Sequence, residues 1–282
     1  MTATGRSLTI LGVLALLAAG AWSLATDAGR QLLRVLRYEW LAGQPLVWSV
    51  PRVVVDCRTP APDFIALSFG QSNAANSVPG RYAPTAGVSW FHEGRCYAAA
   101  DPLPGATGTG GSVWSRLGQR LIDSGRYRRV LMAGIAENGS ALARWTPGGD
   151  LHARLLQTLA AMRSAGVAPT HLLWHQGEQD MRLGTAPARY REEFLALVDS
   201  IRELGIAAPV YVACATYCSG HDSPALRAAQ RALVDPARAI FAGPDTDALR
   251  GPAWRADDCH FSAAGADRHA DLWRDALLAA TR

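Results

Sequence analysis

Apolar positions along the chain fall into two alternating kinds of segment. Short runs at residues 64–69, 129–135, 170–175, 209–216 and, more weakly, 237–242 are dense in aliphatic and aromatic residues and have the length of strands. Between them lie longer stretches with apolar residues at helical spacing. Residues 112–124 put Val113, Leu117 and Leu121 on one face. Residues 150–165 open on Asp150 as the expected cap and close at Gly166, and 187–204 have Pro187 in the first turn. Residues 223–234 and 263–280 complete the set. Strands that alternate with helices predict an α/β fold, a three-layer α/β/α sandwich with about five parallel strands.

The N-terminus departs from this pattern. Residues 7–26 contain no charged side chain and follow Arg6. They read either as a signal peptide cut near Ala25 or as an uncleaved membrane anchor. Arg30, Arg34 and Arg37 lie on the wrong side for a simple anchor with its N-terminus inside. Either reading predicts export to the periplasm or the outside, membrane-anchored or secreted. Residues 27–62 read as a juxtamembrane helix (31–41) and a connector broken by Pro45, Pro51, Pro60 and Pro62, and 63–282 as the globular domain.

Composition changes this picture little. All 28 basic residues are arginine, and the net charge of +4 is spread along the chain without a basic run. Nucleic-acid binding is therefore not expected. Five cysteines in an exported chain imply disulfides and a leftover thiol. Cys57 and Cys96 flank the first strand, and Cys218 and Cys259 both follow strands; a Cys214–Cys218 bridge is the competitor. No His/Cys grouping has zinc spacing, so neither metal nor cofactor is expected.

In an open α/β sheet the chemistry sits beyond the carboxyl ends of the strands. Gly70-Gln71-Ser72-Asn73 follows the first strand, where Ser72 is either a nucleophile or a helix-capping serine. Glu137-Asn138-Gly139-Ser140 follows the second, with Trp145 beyond it. Trp174-His175-Gln176-Gly177-Glu178-Gln179-Asp180 ends the third, a polar group costly to bury unless used. Asp257-Asp258-Cys259-His260 precedes the last helix. Asp257, three residues before His260, is placed to orient the ring; Asp258 is its rival. A hydroxyl, a backbone donor, a side-chain amide and an Asp–His pair are the parts of acyl transfer through an oxyanion. No Gly-x-Ser-x-Gly elbow occurs, which excludes the ordinary α/β-hydrolase reading.

Taken together, Gly70-Gln71-Ser72-Asn73, Asn138-Gly139-Ser140 with Trp145, Trp174-His175-Gln176-Gly177-Glu178 and Asp257-x-x-His260 resemble the sialate O-acetylesterase (carbohydrate esterase family 6) branch of the SGNH hydrolases, over residues 63–282 and in the family's order. The resemblance implies a flavodoxin-like sheet and metal-free ester hydrolysis. Ser72 matches the nucleophile, and Asp257 and His260 the rest of the triad. The Ser72 and Gly139 N–H groups and the Gln176 side chain match the oxyanion hole, and Glu178 a supporting glutamate. Asn73, Trp145 and His175 are expected near the substrate. His175 stands where the family has Tyr or Phe, and Cys259 beside the base is unusual. Trp145, Trp174 and Trp254 form either a sugar-stacking wall or part of the core. The expected activity is removal of acetyl groups from O-acetylated carbohydrate through an acyl-enzyme. The alternatives are an acyltransferase acting on an envelope glycan and a glycan-binding protein with a relic site.

Overall fold

A computed structural model gives the protein from residue 51 to residue 279. Its strands are β1 (Val54–Val55), β2 (Phe64–Gly70), β3 (Val88–His92), β4 (Arg95–Ala98), β5 (Val130–Ala136), β6 (His171–His175), β7 (Val210–Cys214) and β8 (Ile240–Asp245). They form one sheet in the order β1-β4-β3-β5-β2-β6-β7-β8. From β3 to β8 in that order every pairing is parallel, while β4 and β1 add antiparallel at one edge.

The core explains why the strands were legible. Leu67, Phe69, Leu131, Ala133, Ile135, Leu172, Trp174, Val210 and Val212 face one layer of helices. Phe64, Ala66, Val130, Met132, Leu173, Tyr211 and Ala213 alternate with them and face the other. A parallel sheet covered on both sides needs apolar residues at both parities, hence the continuous runs. The first layer is α2 (His152–Ser164), α4 (Pro187–Glu203) and α5 (Pro224–Arg231), and the second is α1 (Val113–Asp123) with α6 (Ala263–Ala279). The short α3 (Glu178–Leu183) follows β6.

The expected α/β sandwich with about five parallel strands is found; among the described residues six are parallel, because β3 joins the five anticipated, and β3 with β4 forms a hairpin. Two expectations are corrected. The compact unit includes residues 51–62, ahead of the boundary expected at residue 63. The end of the proline-rich connector contributes β1, which pairs with β4, and Cys57 is bonded to Cys96 on β4. Asp150 does not cap α2; it forms a two-point ion pair with Arg144 at 2.8 and 2.6 Å. By contrast Ser112 and Ser223 do cap their helices, accepting from the N–H groups of Trp114 and Leu226.

The second disulfide joins Cys218 to Cys259, and Cys214 is the buried free thiol. Two disulfides mark a protein that matures in an oxidising compartment, periplasmic or extracellular. The apolar segment at 7–26 and the helix expected at 31–41 lie outside the described residues. Among the described residues no helix is long and apolar enough to cross a membrane.

Candidate active site

β2 lies between β5 and β6, so the chain leaves it for one side of the sheet and later returns to the other. The crevice beyond its carboxyl end is therefore the switch point of the sheet. A cavity of about 250 Å³ opens there, and Ser72, Gly139, Gln179, Arg182, Asp257 and His260 are among the residues that line it.

Gly70 makes the turn into the site possible. Its φ is +146°, and a Cβ there would stand 2.0 Å from the His175 carbonyl oxygen. With no side chain between β2 and β6, the backbone swings directly into a short 3-10 turn, Ser72–Ala74. Ser72 opens that turn, so its N–H has no intrahelical partner. Neither that N–H nor the Ser72 Oγ has a hydrogen bond among the described residues. Gly139 stands third in the turn Glu137–Ser140, with φ +65° and the Ser140 N–H donating to the Glu137 carbonyl at 3.2 Å. Its own N–H is likewise unpaired among the described residues and belongs to the cavity wall.

On the opposite wall, the Asp257 Oδ2 lies 2.7 Å from His260 Nδ1. The Asp257 Oδ1 accepts from the backbone N–H groups of Cys259 and His260, at 3.1 and 2.6 Å. Burial pushes the Asp257 carboxyl pKa up, but these hydrogen bonds and the His260 charge outweigh it and leave the group below its ordinary value. Asp258 turns away, with φ +59° and its carboxylate 2.5 Å from the Tyr217 hydroxyl.

The loop bearing His260 is tied down from three directions through its neighbour Cys259. The Cys259 side chain is bonded to Cys218. Its carbonyl accepts from Arg255 Nη1 at 2.6 Å and from Asn73 Nδ2 at 3.2 Å. Arg255 also donates to the carbonyls of Leu249 and Thr246, and its guanidinium lies 3.8 Å from the centre of the Phe261 ring. Asn73 in turn donates to Glu178 Oε1 at 2.8 Å. The turn bearing Ser72 and the loop bearing His260 thus share one buried strut.

The structure separates five expected site residues from the cavity. Trp145 is fully buried, donates to the Ser140 hydroxyl and packs on Phe69 and Trp174, so it is core and not a sugar platform. Trp174, buried with it, is no part of a sugar-stacking wall either. His175 is fully buried against His269 and Phe261 and pairs with Thr246; desolvation, then the nearby Arg255 charge, lowers its pKa to about 3. Asn73 is buried as part of the strut. Gln176 is fully buried too; its Nε2 donates to the Ser140 carbonyl at 3.0 Å and to Asp180 at 2.5 Å, while its Oε1 accepts from the Tyr190 hydroxyl. The amide that does reach the cavity is Gln179, three residues on, with Arg182 beside it. The sequence signal for both is the i, i+3 spacing of 179 and 182 along one helical face, visible only once α3 is known to start at Glu178.

The family model described as "Carbohydrate esterase, sialic acid-specific acetylesterase" matches residues 65–278. The chain belongs to this family. It is accordingly a carbohydrate esterase, a carboxylic ester hydrolase that acts on acetylated sugars. Its fold is shared with an Arabidopsis thaliana protein (TM-score 0.64, 19% identity, 77% of this chain and 98% of that one). It is also shared with NanS (0.57, 18%, 78% and 98%) and with a carbohydrate acetylesterase from Xanthomonas citri (0.53, 18%, 76% and 55%). No curated protein matches the sequence.

Glu178 gives the esterase a measurable pH signature. Burial raises its pKa from 4.5 to about 7, against the opposing bond from Asn73 and the charge of Arg255. Its Oε2 has no hydrogen-bond partner. The folded protein therefore holds this proton more tightly than the unfolded chain does. Stability from this group is fully present below about pH 4.5 and declines as pH rises to about 7, by roughly 3 kcal/mol in all. Glu178→Gln should flatten that decline, read as urea unfolding free energy at pH 5 and pH 8. An equal decline in both proteins would mean the carboxylate is ionised inside the fold.

Proposed function

We propose that the esterase works through a Ser72 acyl-enzyme. The Ser72 Oγ attacks the acetyl carbonyl carbon while its proton passes to His260 Nε2. Asp257 holds the ring by Nδ1 and stabilises the charge it gains. The Ser72 and Gly139 N–H groups receive the oxygen that becomes negative. His260 then protonates the departing sugar oxygen as its bond to carbon breaks. Water, deprotonated by the same histidine, attacks the acetyl-serine; the bond from the carbonyl carbon to Ser72 Oγ breaks, Oγ takes the proton back from His260, and acetate leaves. The observation that carries this reading is the Asp257–His260 pair at 2.7 Å on a cavity also lined by Ser72. Residues 7–26 would deliver the enzyme to its compartment, as cleaved signal or as anchor.

The test is acetate release by the full chain from p-nitrophenyl acetate and from a panel of O-acetylated sugars. Release without an added acceptor is expected, and it distinguishes hydrolysis from transfer. No release from any ester would end the acyl-enzyme reading.

A further inference from the structure

We propose that Gln179, not Gln176, donates the third hydrogen bond to the oxyanion. The inference rests on the acyl-enzyme reading above and adds a catalytic residue to it.

Gln176 is unavailable for chemical reasons. An amide nitrogen carries two hydrogens, and Gln176 spends both, on the Ser140 carbonyl and on Asp180. Asp180 is itself a buried hub that receives the Leu142 N–H at 2.8 Å and the Thr185 hydroxyl at 2.8 Å. Turning Gln176 toward the cavity would strip a donor from the Ser140 carbonyl and from a buried carboxylate.

Gln179 has the opposite properties. It is half-buried, and its side-chain amide has no hydrogen bond among the described residues. Its backbone is fixed where it matters: the Gln179 N–H donates to Gln71 Oε1 at 3.1 Å, and the same oxygen accepts from Gly177 at 3.3 Å. Gln71 directly precedes Ser72, so the nucleophile turn and the start of α3 hold one another in register. The Gln179 Oε1 lies 3.9 Å from where a Cβ on Gly139 would stand. The amide thus sits beside Gly139 in the cavity that Ser72 and His260 also line. Oxygen and nitrogen of a terminal amide exchange places by a half-turn of the group, so Nε2 reaches that position as readily as Oε1.

In the acylation step the new bond is Ser72 Oγ to the carbonyl carbon, and the π pair moves onto the carbonyl oxygen. That charge is met by two backbone N–H groups and, once the half-turn brings Nε2 forward, by the Gln179 amide. The contribution belongs to the transition state, so it appears in kcat more than in KM.

Acetate release from p-nitrophenyl acetate should be compared for the full-length wild type, Gln179→Ala and Ser72→Ala. The expected result for Gln179→Ala is a loss of about 10²–10³-fold in kcat, with KM nearly unchanged and thermal stability equal to wild type. Labelling of Ser72 by a phosphonate ester, whose adduct mimics the tetrahedral intermediate, should slow by a similar factor. If Gln179→Ala keeps kcat within fivefold while Ser72→Ala is dead, the esterase mechanism stands and the role of Gln179 is overturned. If the wild type itself releases no acetate, the mechanism falls and this assignment with it.

Discussion

Ser72→Ala should lower acetate release by roughly four to six orders of magnitude and leave the protein folded. Ser72 stands at the start of a 3-10 turn, 5% exposed, with no hydrogen bond to its Oγ among the described residues. Removing one oxygen there breaks no internal contact, so stability should change by less than about 0.5 kcal/mol. The turn itself rests on Gly70 and on the Gln71 and Ser72 carbonyls, which receive the Ala74 and Ala75 N–H groups at 2.8 and 3.0 Å. None of these needs the hydroxyl. The loss would thus report the missing nucleophile and not a disturbed fold. Circular-dichroism melts run beside the kinetics check this. An organophosphorus label should add its mass to the peptide containing Ser72 in the wild type and not in the variant. Activity in the variant within tenfold of wild type would remove Ser72 from the mechanism.

Asp257→Asn should lower kcat by about 10⁴-fold with little change in KM, for a reason specific to this loop. The Asp257 Oδ1 receives two backbone N–H groups, while Oδ2 faces His260 Nδ1. An asparagine must keep its oxygen on the side of those N–H donors. Its NH₂ then points at Nδ1 and makes that nitrogen an acceptor. The ring proton is driven to Nε2, the atom that has to take the proton from Ser72. Geometry survives while the tautomer is wrong. Asp258→Asn is the control, because that carboxylate meets the Tyr217 hydroxyl instead, and its kcat should stay near wild type. Comparable losses in the two variants would reverse the assignment. Ring-nitrogen chemical shifts of His260 report the tautomer directly.

Much of this site was readable because its interactions are local. Asp257 and His260 are three residues apart, and the turn between them brings carboxylate and ring together whatever surrounds it. Gly70 and Gly139 both adopt positive φ at strand ends, where glycine is the residue that tolerates it. The central strands β2, β5, β6 and β7 announced themselves because sheet faces buried on both sides need apolar residues at both parities. The β3–β4 hairpin did not, since its strands of five and four residues carry Ser, His and Arg and pair only because β5 is there to receive them.

Parity along a strand and spacing across a turn are properties of neighbouring residues, so the sequence by itself determined the layered α/β sheet, the order of its strand-end loops and the Asp257–His260 contact that the proposed mechanism uses. Burial is a property of what other elements lay on top, and there only the tertiary structure decided. Trp145 and His175 read as surface candidates until Phe69 and Trp174 closed over one, and Phe261 and His269 over the other. Gln176 and Gln179 are the same side chain three residues apart in one polar stretch. The start of α3 at Glu178 turns the first into the packed interior beside Tyr190 and the second toward the cavity. That phase comes from Gly177, whose backbone lies so close to the Ala215 carbonyl that a Cβ would stand 2.0 Å from it. A contact between segments nearly forty residues apart thus decides which amide faces the reacting ester.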